Sequence, residues 1–142
     1  MQKMIFINLP VADLPRSMAF YAALGFTNEP KFTDETAACM VWSETIYVML
    51  LTHAKWQSFT DRPITTDGSS ALRLCLSLES REAVETMNRV AGESGGTADA
   101  DPATDYGFMT TRSFADPDGH IWEPMWMDPA AAEQGPPAEV NA

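Results

Sequence analysis

Apolar positions fall into runs whose period changes along the chain, and the same order of runs occurs twice. Residues 4–11 form an apolar stretch that reads as a strand, with Pro10 near its end, where a missing N–H costs a ladder least. Asp13 can accept from the free N–H groups of a helix start, and Pro15 suits the first turn. Leu14, Met18, Tyr21 and Ala22 then recur at helical spacing up to Gly25, which predicts a helix over 14–24. A further strand fits at 27–32. Residues 37–42 and 46–51 read as two strands joined by Ser43-Glu44-Thr45. The polar stretch that follows, with Pro63, Asp67 and Gly68, reads as a connector with room for a short helix near 53–59.

The first pattern then returns. Residues 71–78 read as a strand, and Ser80 can cap a helix over 81–92 whose apolar face is Val84, Met87 and Ala91. Residues 106–114 and 120–127 read as strands, joined by the turn Asp116-Pro117-Asp118-Gly119. Phe6 corresponds to Arg73 and Val11 to Leu78 at an offset of 67 residues; Ile46 to Met49 correspond to His120 to Glu123 at an offset of 74. Few letters match, so the repeat is one of element order. It implies two supersecondary units that bury their faces against each other. The expected division is module one at 1–52, a connector at 53–70, module two at 71–128 and a flexible tail at 129–142, rich in Ala, Glu, Gly and Pro.

Bulk properties narrow the partners. The 142 residues are 45% hydrophobic and 20% charged, an ordinary globular mixture for one compact domain. A net charge of −11 repels phosphate backbones and anionic lipid heads, so neither nucleic acid nor a membrane is an expected partner. The N-terminus reads as a strand and not as a signal peptide, which leaves the cytoplasm as the expected location. Cys39 and Cys75 lie in apolar runs outside any CxxC pair and read as small buried core residues. His53, in the connector, and His120, after the turn, read as solvent-facing.

Two motifs carry a resemblance. Residues 11–21, Val-Ala-Asp-Leu-Pro-Arg-Ser-Met-Ala-Phe-Tyr, followed by Leu24-Gly25-Phe26, resemble the opening of vicinal oxygen chelate proteins, the glyoxalase, bleomycin resistance and extradiol dioxygenase relatives. Asp116-Pro117-Asp118-Gly119-His120-Ile121-Trp122-Glu123 resembles their closing hairpin. The resemblance implies an α+β fold of two βαβββ modules, whose curved mixed sheets enclose a cleft. More narrowly, it extends to predicted lactoylglutathione lyases.

In that superfamily a divalent metal is usually held by His and Glu on the first and last strands of each module and stabilises an enolate or oxyanion. The resemblance puts those places at Phe6, Met49, Arg73 and Glu123. Phe6 has no donor atom, Arg73 is a permanent cation, and Met49 offers a soft thioether poorly suited to an oxygen-rich site. Only Glu123 keeps ligand chemistry, so no cofactor is expected unless a divalent metal site is rearranged around it.

Two readings of Arg73 and Glu123 stand side by side: a plain buried ion pair, or a polar anchor in which Arg73 takes an anionic group and Glu123 serves as acceptor or catalytic base. By the period-two rule Asn8 and Cys75 line the same faces, as does Met125 beside Glu123. The chain is thus expected to bind a small apolar or anionic molecule without a metal. The alternative is a lactoylglutathione lyase-like or dioxygenase-like enzyme with a rearranged site. A homodimer is also expected, because Trp122 and Trp126 share the opposite face of the last strand and need cover.

Overall fold

The computed structural model describes residues 1–136. Its first half runs β1 (Ile5–Val11), α1 (Leu14–Ala23), β2 (Thr27–Glu29), one 3-10 turn (Pro30–Phe32), β3 (Ala37–Val41) and β4 (Ile46–Thr52). These strands form a sheet in the order β1-β4-β3-β2, in which only the β1–β4 pair is parallel. After α2 (His53–Gln57) come β5 (Arg73–Ser77), α3 (Arg81–Glu93), β6 (Thr97–Ala98), β7 (Thr104–Asp105), β8 (Met109–Thr111), β9 (Phe114–Ala115), β10 (Ile121–Met127) and α4 (Pro129–Gln134). The second sheet runs β6-β9-β10-β8-β7, with β5 parallel to β10. The fold is α+β. In both halves a helix crossover separates the first strand from the rest, so the first strand pairs in parallel.

The internal repeat holds at the level of single residues. Phe6 lies opposite Tyr47 as Arg73 lies opposite Ile121, and Asn8 lies opposite Met49 as Cys75 lies opposite Glu123. The offsets of 67 and 74 carry each pair onto its counterpart. The second half departs from expectation at 106–114, read as one strand and found as pieces. β8 pairs with residues 125–127 of β10 and β9 with residues 121 and 122. Between them sits Pro124, which has no N–H to give a ladder and only accepts, from the Arg112 N–H at 3.1 Å. The expected tail opens with α4, which Asp128 caps by accepting from the Ala130 N–H; residues 137–142 lie outside the described residues.

Alternation along the strands decides the faces. Leu9, Val11, Val48, Leu50, Leu76 and Trp122 are buried toward α1 and α3, in one core shared by both halves. Its centre is aromatic: Tyr21 meets Phe20, Phe26 and Trp122 edge-on, with centroids 5.1, 5.3 and 5.8 Å away. Gly96 admits the Phe20 ring, since a Cβ there would stand 2.7 Å from Phe20 and 2.4 Å from the Ala115 carbonyl oxygen. The two tryptophans of β10 are covered within the chain: Trp122 is in the core, and the Arg81 guanidinium lies 4.9 Å from the Trp126 ring. Trp126 stays half-buried.

The halves are locked by the turn at 116–119. Asp116 is buried and accepts from the Asp118 and His120 N–H groups at 2.9 and 2.8 Å and from the Tyr21 hydroxyl at 2.6 Å. The Tyr21 oxygen in turn accepts from the Trp122 indole at 3.0 Å. Asp118 accepts from the Ala12 N–H at 2.9 Å and the Ser17 hydroxyl at 3.3 Å. His120, expected to face solvent, is half-buried, with Nε2 donating to the Pro10 carbonyl at 2.8 Å. It stitches the start of β10 to the end of β1. His53, by contrast, is exposed as expected.

Replacing Tyr21 by Phe deletes a buried oxygen and strands both Asp116 and the Trp122 indole. The variant is expected to lose about 1–3 kcal/mol of unfolding free energy in urea titrations. Desolvation pushes the Asp116 carboxyl above its ordinary value, with the His120 charge and the Tyr21 bond pulling the other way. The folded chain therefore holds this proton more tightly than the unfolded chain, and the group's contribution to stability grows as pH falls through the folded value and is lost as pH rises. Asp116→Asn removes that term. Its stability deficit relative to the natural chain should widen between about pH 6 and pH 4, and a deficit that narrows on acidification would contradict this.

Candidate functional site

Each sheet has a second face, remote from the shared core, and the candidate residues stand there. On the first sheet Phe6 is 52% exposed and its ring stacks on Tyr47, with centroids 4.6 Å apart and planes 13° from parallel. Parallel pairing at this register sets the two rings side by side. Asn8, exposed, and Met49, half-buried, sit opposite each other on the same face. Met49 also faces Cys39 across β3–β4. Phe6, Tyr47, Met49 and Cys39, with Phe32 on the 3-10 turn, line an open cavity of 870 Å³, whereas Asn8, expected in the cleft, does not line it. Glu29 and Glu44 complete it, and no basic side chain lines it among the described residues. Cys39 is buried there, and desolvation, then the Glu29 charge, raises its thiol pKa.

On the second sheet Arg73, Cys75, Glu123 and Met125 stand on the corresponding face. Arg73 gives one guanidinium nitrogen to Glu123 at 3.0 Å and the other to Asp101 at 2.5 Å. Both bonds raise its pKa, Asp101 first. The ion pair read from the sequence is present but not buried: the Arg73 side chain is 43% exposed and that of Glu123 27%. Cys75 is exposed, which corrects its placement in the core. Its thiol pKa is raised, chiefly by desolvation and then by the Glu123 charge, which keeps it a thiol and a weak nucleophile. Met125 lies opposite Ser77 and Thr111.

The structure thus brings Phe6 and Met49 together on one sheet, and Arg73, Cys75 and Glu123 together on the other. The 870 Å³ cavity takes in the first group alone. Among the described residues no group of three or more His, Cys, Asp or Glu side chains is placed to hold a metal ion. The residues at the four ligand places do not fit such an ion, since the one carboxylate already faces a guanidinium. Sequence reasoning missed Tyr47, Phe32, Glu29, Glu44 and Asp101. Tyr47 was within reach, two residues from Met49 on the same strand face. Asp101 lies outside any strand or helix, and no periodicity points to it.

A second, smaller cavity of 520 Å³ lies where the connector passes the locking turn, between Trp56, Ile64 and Leu72 on one side and Pro10, His120 and Ile121 on the other. No helix among the described residues is long and apolar enough to cross a membrane.

Residues 3–43 match the family model described as bleomycin resistance protein-like N-terminal. No curated protein matches the chain in sequence. Among solved structures, a hypothetical protein from S. aureus superposes with a TM-score of 0.74 at 23% identity, covering 89% of this chain and 95% of that one. A glyoxalase-related enzyme from Fulvimarina pelagi superposes at 0.73 and 22%, covering 89% and 88%. The chain has the glyoxalase/bleomycin resistance fold. A fosfomycin resistance protein from Mesorhizobium loti shares this fold with a TM-score of 0.67 at 11% identity, covering 94% of this chain and 98% of that one. The resemblance read from the two motifs is borne out at this level.

The Arg73 triad is partly solvated, so its bonds contribute little to stability. Arg73→Met is expected to shift the unfolding free energy by less than about 1 kcal/mol. Urea titration checks this; a loss several times larger would mean that the triad holds the sheet together.

Proposed function

We propose that this chain is a small-molecule binding protein that holds its ligand on the open sheet faces and works without the divalent metal usual for its fold. The observation that carries the reading is the residue set at the four ligand places. Phe6 and Met49 line an apolar cavity, and Arg73 and Glu123 neutralise each other. A dication there would meet a guanidinium and a single, already paired carboxylate. The stacked Phe6–Tyr47 pair and Met49 offer instead a soft aromatic and thioether surface for a hydrophobic ligand. Of the two ligand chemistries expected, the apolar one has the stronger support. Two guanidinium nitrogens of Arg73 are already given to Asp101 and Glu123, so an incoming anion must displace a carboxylate.

The second reading is a glyoxalase-like lyase or a dioxygenase-like enzyme with a rearranged metal site, which the fold's enzymatic relatives keep in view. Metal analysis separates the two. Protein purified without tag or chelator is expected to carry far less than one equivalent of Zn, Ni, Mn or Fe by mass spectrometry. Addition of these ions should leave its thermal midpoint unchanged. One equivalent retained through dialysis would sink the metal-free reading. On the binding side, Phe6→Ala is expected to weaken a hydrophobic ligand about tenfold through loss of the stacked surface.

A further inference from the structure

We infer that the cavity on the first sheet selects a hydrophobic cation: a molecule with an aromatic or bulky apolar body bearing an amine or quaternary ammonium group. The inference rests on the ligand-binding reading above and names the class of ligand.

Three observations converge. The first is the shape and chemistry of the floor. The rings of Phe6 and Tyr47 stack on each other, so each spends one face on its neighbour and keeps the other for a ligand; with Phe32 and Met49 they line a cavity of 870 Å³, enough for a ligand with two or more fused rings. Aromatic faces carry negative quadrupole potential, so they attract a cation that can shed its water, and an alkylammonium sheds it more readily than a small ion. The second is the sign of the fixed charge. Glu29 and Glu44 line the cavity, while Lys3 and Lys31, the basic residues nearest in sequence, do not. The Glu29 carboxylate is held in place by the Lys31 N–H at 3.1 Å, a backbone bond that leaves its charge uncompensated. The third is the field beyond the cavity. On the other sheet Arg73 is outnumbered by Asp101 and Glu123, and the chain carries a net charge of −11. Each term disfavours an anion and favours a cation, and the acidic surface would also speed a cation's arrival.

Three probes on one naphthylmethyl body separate charge from hydrophobicity: (1-naphthylmethyl)trimethylammonium, its carbon isostere 1-neopentylnaphthalene, and the anion 1-naphthylacetate. Equilibrium dialysis against the full chain at physiological salt is expected to give the cation about tenfold tighter binding than the neutral isostere, with the anion weakest. The double variant Glu29→Gln, Glu44→Gln should bring the cation's affinity down to that of the isostere and leave the isostere within about twofold of its original value. Glutamine keeps the acceptor that Lys31 uses, and a circular dichroism spectrum matching the natural chain's verifies the fold of the variant. Equal affinity for cation and isostere, or tightest binding of naphthylacetate, overturns the charge selection while leaving ligand binding intact. Failure of all three probes to bind overturns the binding reading and this inference with it.

Discussion

The contact on which the rest of the structure depends is the seat of the 116–119 turn on the first half of the chain. A buried carboxylate, Asp116, is tolerable only because its oxygens are satisfied from both halves, by backbone N–H groups of its own turn and by the Tyr21 hydroxyl of α1. Asp118 reaches further and takes the Ala12 N–H, and His120 takes the Pro10 carbonyl. These bonds fix how α1 lies against β10, and so how Trp122, Tyr21 and Phe26 meet in the core. With the inner faces joined in this way, the outer faces of both sheets are left for other work.

Those outer faces divide the labour by charge. Aromatic rings and methionine cluster over the first sheet, and a partly solvated Arg–Asp–Glu triad stands on the second. The repeat makes this asymmetry legible, because Phe6 and Arg73 hold the same place in two copies of one unit, and so do Met49 and Glu123. Where a metal site would need like chemistry at all four places, this chain has an apolar half and an ionic half. The ionic half satisfies itself. The apolar half keeps an open cavity lined by two carboxylates and, among the described residues, by no basic side chain.

Much of this was readable in advance because it rests on local rules. Asp13 and Ser80 cap their helices by short-range bonds, and the expected helices at 14–24 and 81–92 are found as Leu14–Ala23 and Arg81–Glu93. Period-two alternation grouped Phe6 with Asn8, and Arg73 with Cys75, each pair on one strand face expected to line a cleft, because a strand with one face in a core has no freedom to slip by one residue. The errors came where tertiary contact overrides local pattern. Cys75 sits in an apolar run yet faces outward, since its neighbours Leu74 and Leu76 take the inner face. The single strand expected at 106–114 breaks because Pro124, on a different strand, cannot donate to it.

What the sequence by itself determined is therefore the order of the main elements, the twofold repeat, the face of the long strands and, at the places the family resemblance marks, the loss of metal-ligand chemistry at three of four. The elements and faces follow from propensity and periodicity, and the donor inventory was read at places that the resemblance supplied. Only the tertiary structure decided that His120 is tied to Pro10, that Asp101 joins Arg73, and that Glu29 and Glu44 share a cavity with Phe6 and Tyr47. Those partners lie 110, 28 and up to 41 positions apart in the chain, measured as His120 from Pro10, Asp101 from Arg73 and Tyr47 from Phe6. No local rule spans such distances. They are fixed by how two sheets curve around one core, and by which loops that curvature brings to their open faces.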